Sequence, residues 1–362
     1  MQTFANHVLY GLAASVLHSL ARLPAGVAYW LGARLGDLLY LGLARRRRIA
    51  LDNLAIAFGT DKTAEERYQI ARATFRNLGQ HLVDFSHVRR LTLQRFTTMC
   101  HVEGLEHVET LLKRGRGLLI ISAHFGSWEL APAVALCLNT PLHIIVRPLD
   151  SPALQRLAEI YRQGCGYHAI ARRTALAECL KVLRHGEIVA VLMDQSSLRH
   201  ESIQVEFFGT NAYTSKGPAL LALRTGCPVV SGFLIRAGQG HHRLVFSQEI
   251  PVRRTGDLQQ DIVENTRVFT QVIESYVRLP RSLVLAPSTL EAAIVEQGFT
   301  RVDSLIKPVV TTMPCLVSGG ESCTRLHRPR PSLFISEVES CISLTRIFIR
   351  LVISAPSPEG AV

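Results

Sequence analysis

Gly117-Leu-Leu-Ile-Ile-Ser-Ala-His-Phe-Gly-Ser-Trp-Glu-Leu130 runs from an unbroken apolar segment into a histidine, a glycine and a carboxylate. Leu118 to Ile121 has no polar member, the pattern of a short strand buried on both faces. On a continuous helix, five residues of separation would turn His124 and Glu129 about 140° apart. The two face one site only if His124 stands in a strand-to-helix turn. The spacing therefore predicts that Gly126 permits the bend and that Ser127 caps a helix. Glu129 then falls in the first helical turn, where its carboxylate reaches back to the imidazole.

Similar apolar runs recur on the C-terminal side. His143 to Val146, Ile188 to Met193 and Val229 to Ile235 read as buried strands, and Arg243 to Phe246 as one more after the turn-prone Gly238-Gln-Gly240. They alternate with helical patterns at Ser151 to Gly164, Thr174 to His185 and Asp257 to Arg278. Together these predict an α/β fold with a central mostly parallel or mixed sheet flanked by helices. Upstream, Thr63-Ala-Glu-Glu66 is a capping box. Behind it Ala71, Phe75, Leu78, Leu82 and Phe85 form one helix face, read as packing and not chemistry.

The N-terminal part differs. Val8 to Leu43 is rich in apolar residues but is broken by Arg22, Pro24, Arg34 and Asp37, and Arg45-Arg-Arg-Arg48 follows directly. Basic clusters beside apolar segments mark the cytoplasmic side of membranes. The expectation is a spanning helix at about residues 4 to 21, then an amphipathic helix at the interface. A pair of ordinary core helices is the competing reading. Residues 1–48 thus form the expected membrane-associated anchor and 49–280 the α/β domain.

The chain has 362 residues, enough for a large core. Lys plus Arg outnumber Asp plus Glu by 40 to 29, which favours anionic partners: phospholipid headgroups, phosphorylated substrates or nucleic acid. The eight cysteines contain no CxxC pair, so neither a zinc site nor a disulfide framework is expected and a reducing compartment is the simpler setting. Gly164-Cys-Gly166 with Ala169 mimics a dinucleotide fingerprint but follows a helical pattern where a strand is required. His241-His242 lacks further ligands at metal-binding spacing.

A carboxylate on one imidazole nitrogen fixes the tautomer and leaves the other nitrogen to take a proton from a hydroxyl. The sequence has no GxSxG elbow and no cysteine within the motif, so a covalent acyl-enzyme lacks its nucleophile. Direct attack of an activated hydroxyl on a thioester needs only the base and an oxyanion stabiliser. An acyl-thioester hydrolase and a membrane-associated binding protein with a relic site are the alternatives.

The order of several blocks resembles the bacterial late acyltransferases of lipid A biosynthesis. This lauroyl and myristoyl transferase family lies within the lysophospholipid acyltransferase-like superfamily and includes phosphatidylinositol mannoside acyltransferases. The blocks are Val102-Glu-Gly104 with Glu106-His107, Gly115-Arg-Gly117 and SAHFGSWEL, then Arg147-Pro-Leu-Asp150. Asp194-Gln195, Phe207-Phe208-Gly209 and Lys216-Gly-Pro218 through Val230 follow. The resemblance implies His124 as general base and Glu129 as its partner, with Arg147, Asp194, Gly126 and Lys216 serving the substrate. It also implies an acyl-carrier-protein or acyl-coenzyme A donor and a glycolipid acceptor among membrane phospholipids. It implies location at the cytoplasmic face of the inner membrane, with no metal, no other cofactor and no nucleic acid.

Members of that family continue past the last helix with a segment rich in Trp, His, Arg and Lys. Here Leu283 to Ala293 reads Leu-Val-Leu-Ala-Pro-Ser-Thr-Leu-Glu-Ala-Ala. Codons allowed for it, read one base later, encode Trp-Phe-Trp-Leu-His-Arg-Arg-Trp-Lys-Arg. Residues 281–362 also lack Trp and Tyr and carry three of the eight cysteines. The expectation is a frameshift near Pro280, with an irregular tail translated out of frame; a divergent tail is the alternative.

Overall fold

The computed structural model describes residues 2–59, 61–194 and 199–278, so the expected frameshifted tail lies outside the described residues. Helices α1 (Gln2–Leu20), α2 (Ala25–Gly42), α3 (Ala44–Phe58), α4 (Ala64–Val88) and α5 (Leu93–Met99) precede the sheet. Then come β1 (Cys100–Glu103), α6 (Leu105–Leu112), β2 (Leu118–Ser122) and β3 (Leu142–Val146). They are followed by α7 (Pro152–Arg162), β4 (Tyr167–Ala171), α8 (Ala175–Arg184) and β5 (Ile188–Leu192). The hairpin β6 (Ser202–Phe207) and β7 (Thr210–Ser215), then α9 (Gly217–Thr225), β8 (Val229–Arg236), β9 (His242–Phe246) and α10 (Leu258–Arg278), complete the order.

The central sheet has seven strands in the order β1-β9-β8-β2-β5-β3-β4. All neighbours are parallel except β8 and β9, so the α/β expectation holds. The apolar run that predicted β2 is explained by its two covered faces. Leu119 and Ile121 pack with α8, α9 and α10 residues such as Leu183, Ala222 and Phe269. Leu118 and Ile120 pack on the other side with Phe96, Val108 and Leu111. Side chains alternate along a strand, and neither side of β2 meets water.

The Thr63–Glu66 capping box forms and starts α4. Tight crossing of α2 and α4 depends on glycines. A Cβ at Gly79 would lie 2.0 Å from the Gly32 carbonyl oxygen, and one at Gly36 would lie 2.3 Å from that of Phe75. Backbone-to-backbone approach sets Tyr29 and Asp37 of α2 directly against α4.

At the N-terminus the expected spanning helix is corrected. Helix α1 forms over almost the predicted range, but no helix among the described residues is long and apolar enough to cross a membrane. One side of α1 is used for packing: Leu9 and Leu17 are buried against Ala153, Leu154, Leu157 and Tyr161 of α7. Its opposite stripe, Phe4, Val8, Leu12 and Val16, is exposed at intervals of four residues.

Candidate active site

Strand β2 delivers His124 to the carboxyl edge of the sheet, and neighbouring β5 delivers Asp194 to the same edge. Open parallel sheets collect their ligands at this edge. Asp194 Oδ1 lies 2.9 Å from His124 Nδ1, and Asp194 Oδ2 accepts the His124 backbone N–H at 3.1 Å. One carboxylate thus fixes both the ring and the main chain of His124. Burial alone would lower the imidazole pKa, but the Asp194 charge and hydrogen bond outweigh it, with Glu129 adding to them, and the net shift is upward.

Glu129 is placed differently from the sequence expectation. The helix expected from Ser127 does not begin there; a short 3-10 turn, Ala131–Leu136, starts after Glu129. The Glu129 carboxylate is instead forked by Arg162 at the end of α7, with Nε to Oε2 at 2.9 Å and Nη2 to Oε1 at 2.5 Å. Burial would raise the Glu129 pKa, yet the Arg162 charge pulls it below the ordinary carboxylate value. The orienting bond to His124 Nδ1 therefore comes from Asp194, while Glu129 is a mostly buried anion nearby, its side chain 16% exposed, sensed by the imidazole through space. Arg162 was missed because it reads as one more basic residue closing a helix. Its signal is its place beside Tyr161 on the side of α7 that is buried.

Gly126 has φ 59, and a Cβ there would lie 1.8 Å from the Leu234 carbonyl oxygen. Both the left-handed backbone and the close approach demand glycine, as the turn predicted. Ser127 does not cap a helix. Fully buried, it donates to Asp84 Oδ2 at 2.7 Å.

Beneath the loop, α4 presents polar groups that the helix-face reading passed over. Asn77 donates to the Gly126 carbonyl at 3.3 Å. His81 lies 3.4 Å from Ser127 Oγ and stacks under Trp128 at 3.9 Å between ring centroids, and the Trp128 ring in turn meets the His124 ring edgewise at 5.5 Å. Asp84 has no side-chain exposure and is also bonded by Tyr29 Oη and Arg236 Nη2. His242 Nε2 lies 3.2 Å from Asp84, in ion-pair range but too poorly aligned for a hydrogen bond. Burial opposes the Asp84 charge, but Arg236 and His242 hold the carboxyl well below its usual range. Burial pushes the His81 pKa down to about 4. The spacing of Asn77, His81 and Asp84, four then three residues, is the signal that would have shown a polar stripe on α4.

Arg147 follows β3 at the same edge of the sheet; it is exposed and makes no hydrogen bond or ion pair among the described residues. Lys216 is the residue before α9, partly buried, with its backbone N–H bonded to the Glu201 carbonyl at 3.2 Å. Among the described residues, neither side chain is bonded to the His124–Asp194 pair. No group of three or more His, Cys, Asp or Glu among the described residues is arranged to hold a metal ion.

Fold and relatives together define an acyltransferase of α/β architecture. The chain belongs to the bacterial lipid A biosynthesis acyltransferase family, whose model matches residues 2–280. It is 27% identical over 278 residues to the lipid A biosynthesis palmitoleoyltransferase of Escherichia coli K12, covering 75% of this chain and 90% of the relative. To the lipid A biosynthesis lauroyltransferase of the same organism it is 28% identical over 220 residues, 60% of this chain and 71% of the relative. A phosphatidylinositol mannoside acyltransferase of Mycobacterium tuberculosis is 24% identical over 143 residues, 38% of this chain and 45% of the relative.

Proposed function

We propose that the chain transfers a fatty acyl group from an acyl-carrier-protein or coenzyme A thioester to a hydroxyl of a glycolipid of the lipid A precursor type. The observation that carries the reading is the His124–Asp194 pair at the carboxyl edge of the sheet. Asp194 occupies Nδ1, so the acceptor hydroxyl gives its proton to Nε2 as its oxygen attacks the thioester carbonyl. The tetrahedral intermediate collapses, the C–S bond breaks, and the departing thiolate takes the proton back from His124. Ester and thiol are the products, and the base is restored.

Glu129, held by Arg162, adds a fixed negative charge that favours the imidazolium formed in mid-reaction. The dyad of His124 and Glu129 thereby works as a triad completed by Asp194. Arg147 and Lys216 supply positive charge at the rim for phosphate groups of donor or acceptor. Gly126 shapes the loop.

Membrane attachment belongs to the same proposal, at the cytoplasmic face of the inner membrane. Support comes from the exposed stripe of α1 and from Val27, Trp30, Leu31, Leu38 and Leu41 exposed on α2, with Arg45 to Arg48 following in α3. Such a surface lies in an interface instead of crossing it.

The test is a lipid mass profile of cells expressing this chain, its His124→Ala variant and a frame-restored version. A new acylated glycolipid that vanishes with His124→Ala supports the transferase. Free fatty acid alone points to a hydrolase, and no product from any version to a relic. Product from the frame-restored version alone identifies the tail as a lesion.

A further inference from the structure

Asp37 of α2 is 8% exposed and collects three guanidiniums. Arg72 Nε and Arg76 Nε both bond its Oδ1, at 2.9 and 2.7 Å. Arg76 Nη2 and Arg34 Nη2 reach Oδ2 at 3.1 and 3.0 Å. One turn further, Arg47 lies over the Tyr40 ring and bonds the Tyr40 carbonyl at 2.8 Å, and Tyr40 packs edgewise on Phe75, between Arg72 and Arg76 in sequence.

A single carboxylate would be neutralised by a single arginine. Here the Arg76 hydrogen bonds, with that of Arg72, hold Asp37 down at about 2, and two surplus positive charges converge within a few ångströms of it. Like charges so placed repel, and folding alone gives no reason to gather them. Arg34 and Arg72 each use one nitrogen on Asp37, and the side chains remain 47% and 52% exposed. Most of their N–H donors therefore face outward as a fork for a planar or tetrahedral oxyanion.

Position narrows the ligand. Arg34 stands between Trp30 and Leu38 at intervals of four, and both are exposed, at 58% and 66%. The cage thus opens on the apolar stripe of α2, at the level where lipid phosphates lie if that stripe rests on a bilayer. We propose that Arg34, Arg72 and Arg76, held by Asp37, form a binding site for the phosphate monoester of a membrane lipid headgroup. A monoester brings nearly two charges and three terminal oxygens, matching the surplus. The site rests on the membrane-facing orientation proposed above but not on acyl transfer.

The test is sedimentation of the full chain with phosphatidylcholine vesicles containing phosphatidic acid, or phosphatidylglycerol at matched surface potential. Wild type is expected to bind the monoester vesicles about tenfold more tightly than the diester ones. Arg72→Gln with Arg76→Gln is expected to abolish that preference. Arg34→Gln, which leaves the α2–α4 bonds in place, is expected to reduce it severalfold at unchanged thermal stability. Equal binding to both vesicles by wild type, or a full preference in folded Arg34→Gln, overturns the site. His124→Ala is expected to keep the preference whatever its effect on transfer, so failure of the catalytic reading shows separately.

Discussion

Two histidine–carboxylate pairs occupy opposite ends of the same sheet. His124 and Asp194 meet at 2.9 Å where β2 and β5 end; His143 and Glu187 meet at 2.7 Å where β3 and β5 begin, with His168 stacked on His143. By distance alone the second pair is as good a base and orienter as the first. What separates them is the setting. The first stands on a glycine turn, over Asn77, His81 and Asp84, with a second carboxylate fixed nearby by Arg162. The second joins His143 of β3, beside His168 of β4, to Glu187 just before β5, and that carboxylate is 31% exposed. A paired histidine becomes a candidate base through the groups that hold its loop, not through the pair.

The largest way to break this contrast is substitution of the two histidines. His124→Ala is expected to lower the rate of acyl-ester formation by about 10²- to 10⁴-fold, whereas His143→Ala leaves it within about twofold, measured with purified protein in mixed micelles. Comparable losses from both would erase the distinction. Next come the anions. Arg162→Ala strands the mostly buried Glu129 charge and is expected to cost about 3–5 kcal/mol of unfolding free energy. His143→Gln removes a partner from a partly exposed pair and is expected to cost about 1 kcal/mol or less. Urea titrations of both variants decide this.

A pH dependence follows from His81. Its folded pKa of about 4 lies below the unfolded value of 6.5, so the unfolded chain binds the proton first. Stability is expected to fall as pH drops from 6.5 to 4, by up to about 3 kcal/mol. His124 has the opposite sign: its raised pKa contributes stability that is complete below 6.5 and fades as pH rises through the folded value. Folded His81→Gln should show a flatter acid limb in urea midpoints; a limb as steep as wild type would remove His81 as its source. The smallest effect is at the rim. Arg147→Gln should raise the donor or acceptor KM severalfold with stability within about 0.5 kcal/mol, and an unchanged KM would dismiss Arg147 from binding.

Much of the fold was legible because burial on both faces leaves an unmistakable signature, as at Leu118 to Ile121. Strand β4 was not, because Tyr167, His168 and Ala169 of an edge strand mix polar and apolar residues. Strand β1, at the other edge, is only four residues long. The hairpin β6–β7 lacked a familiar turn signal: Phe208 occupies φ 51 before Gly209, where asparagine or aspartate more often precedes the glycine. In the site, His124 and Gly126 were readable from the loop itself. The pairing of Asp194 with His124 required knowing that β5 lies beside β2, a long-range fact that no local spacing carries. The same holds for Arg162 on Glu129 and for Asp84 beneath Ser127.

The most direct test is the pH–rate profile of acyl transfer for wild type and Asp194→Asn. With Asp194 holding Nδ1 and raising the imidazole pKa, loss of its charge should move the acid limb to lower pH and reduce the plateau rate at least about tenfold. An unmoved acid limb with an unchanged plateau would contradict the pairing of Asp194 with a catalytic His124.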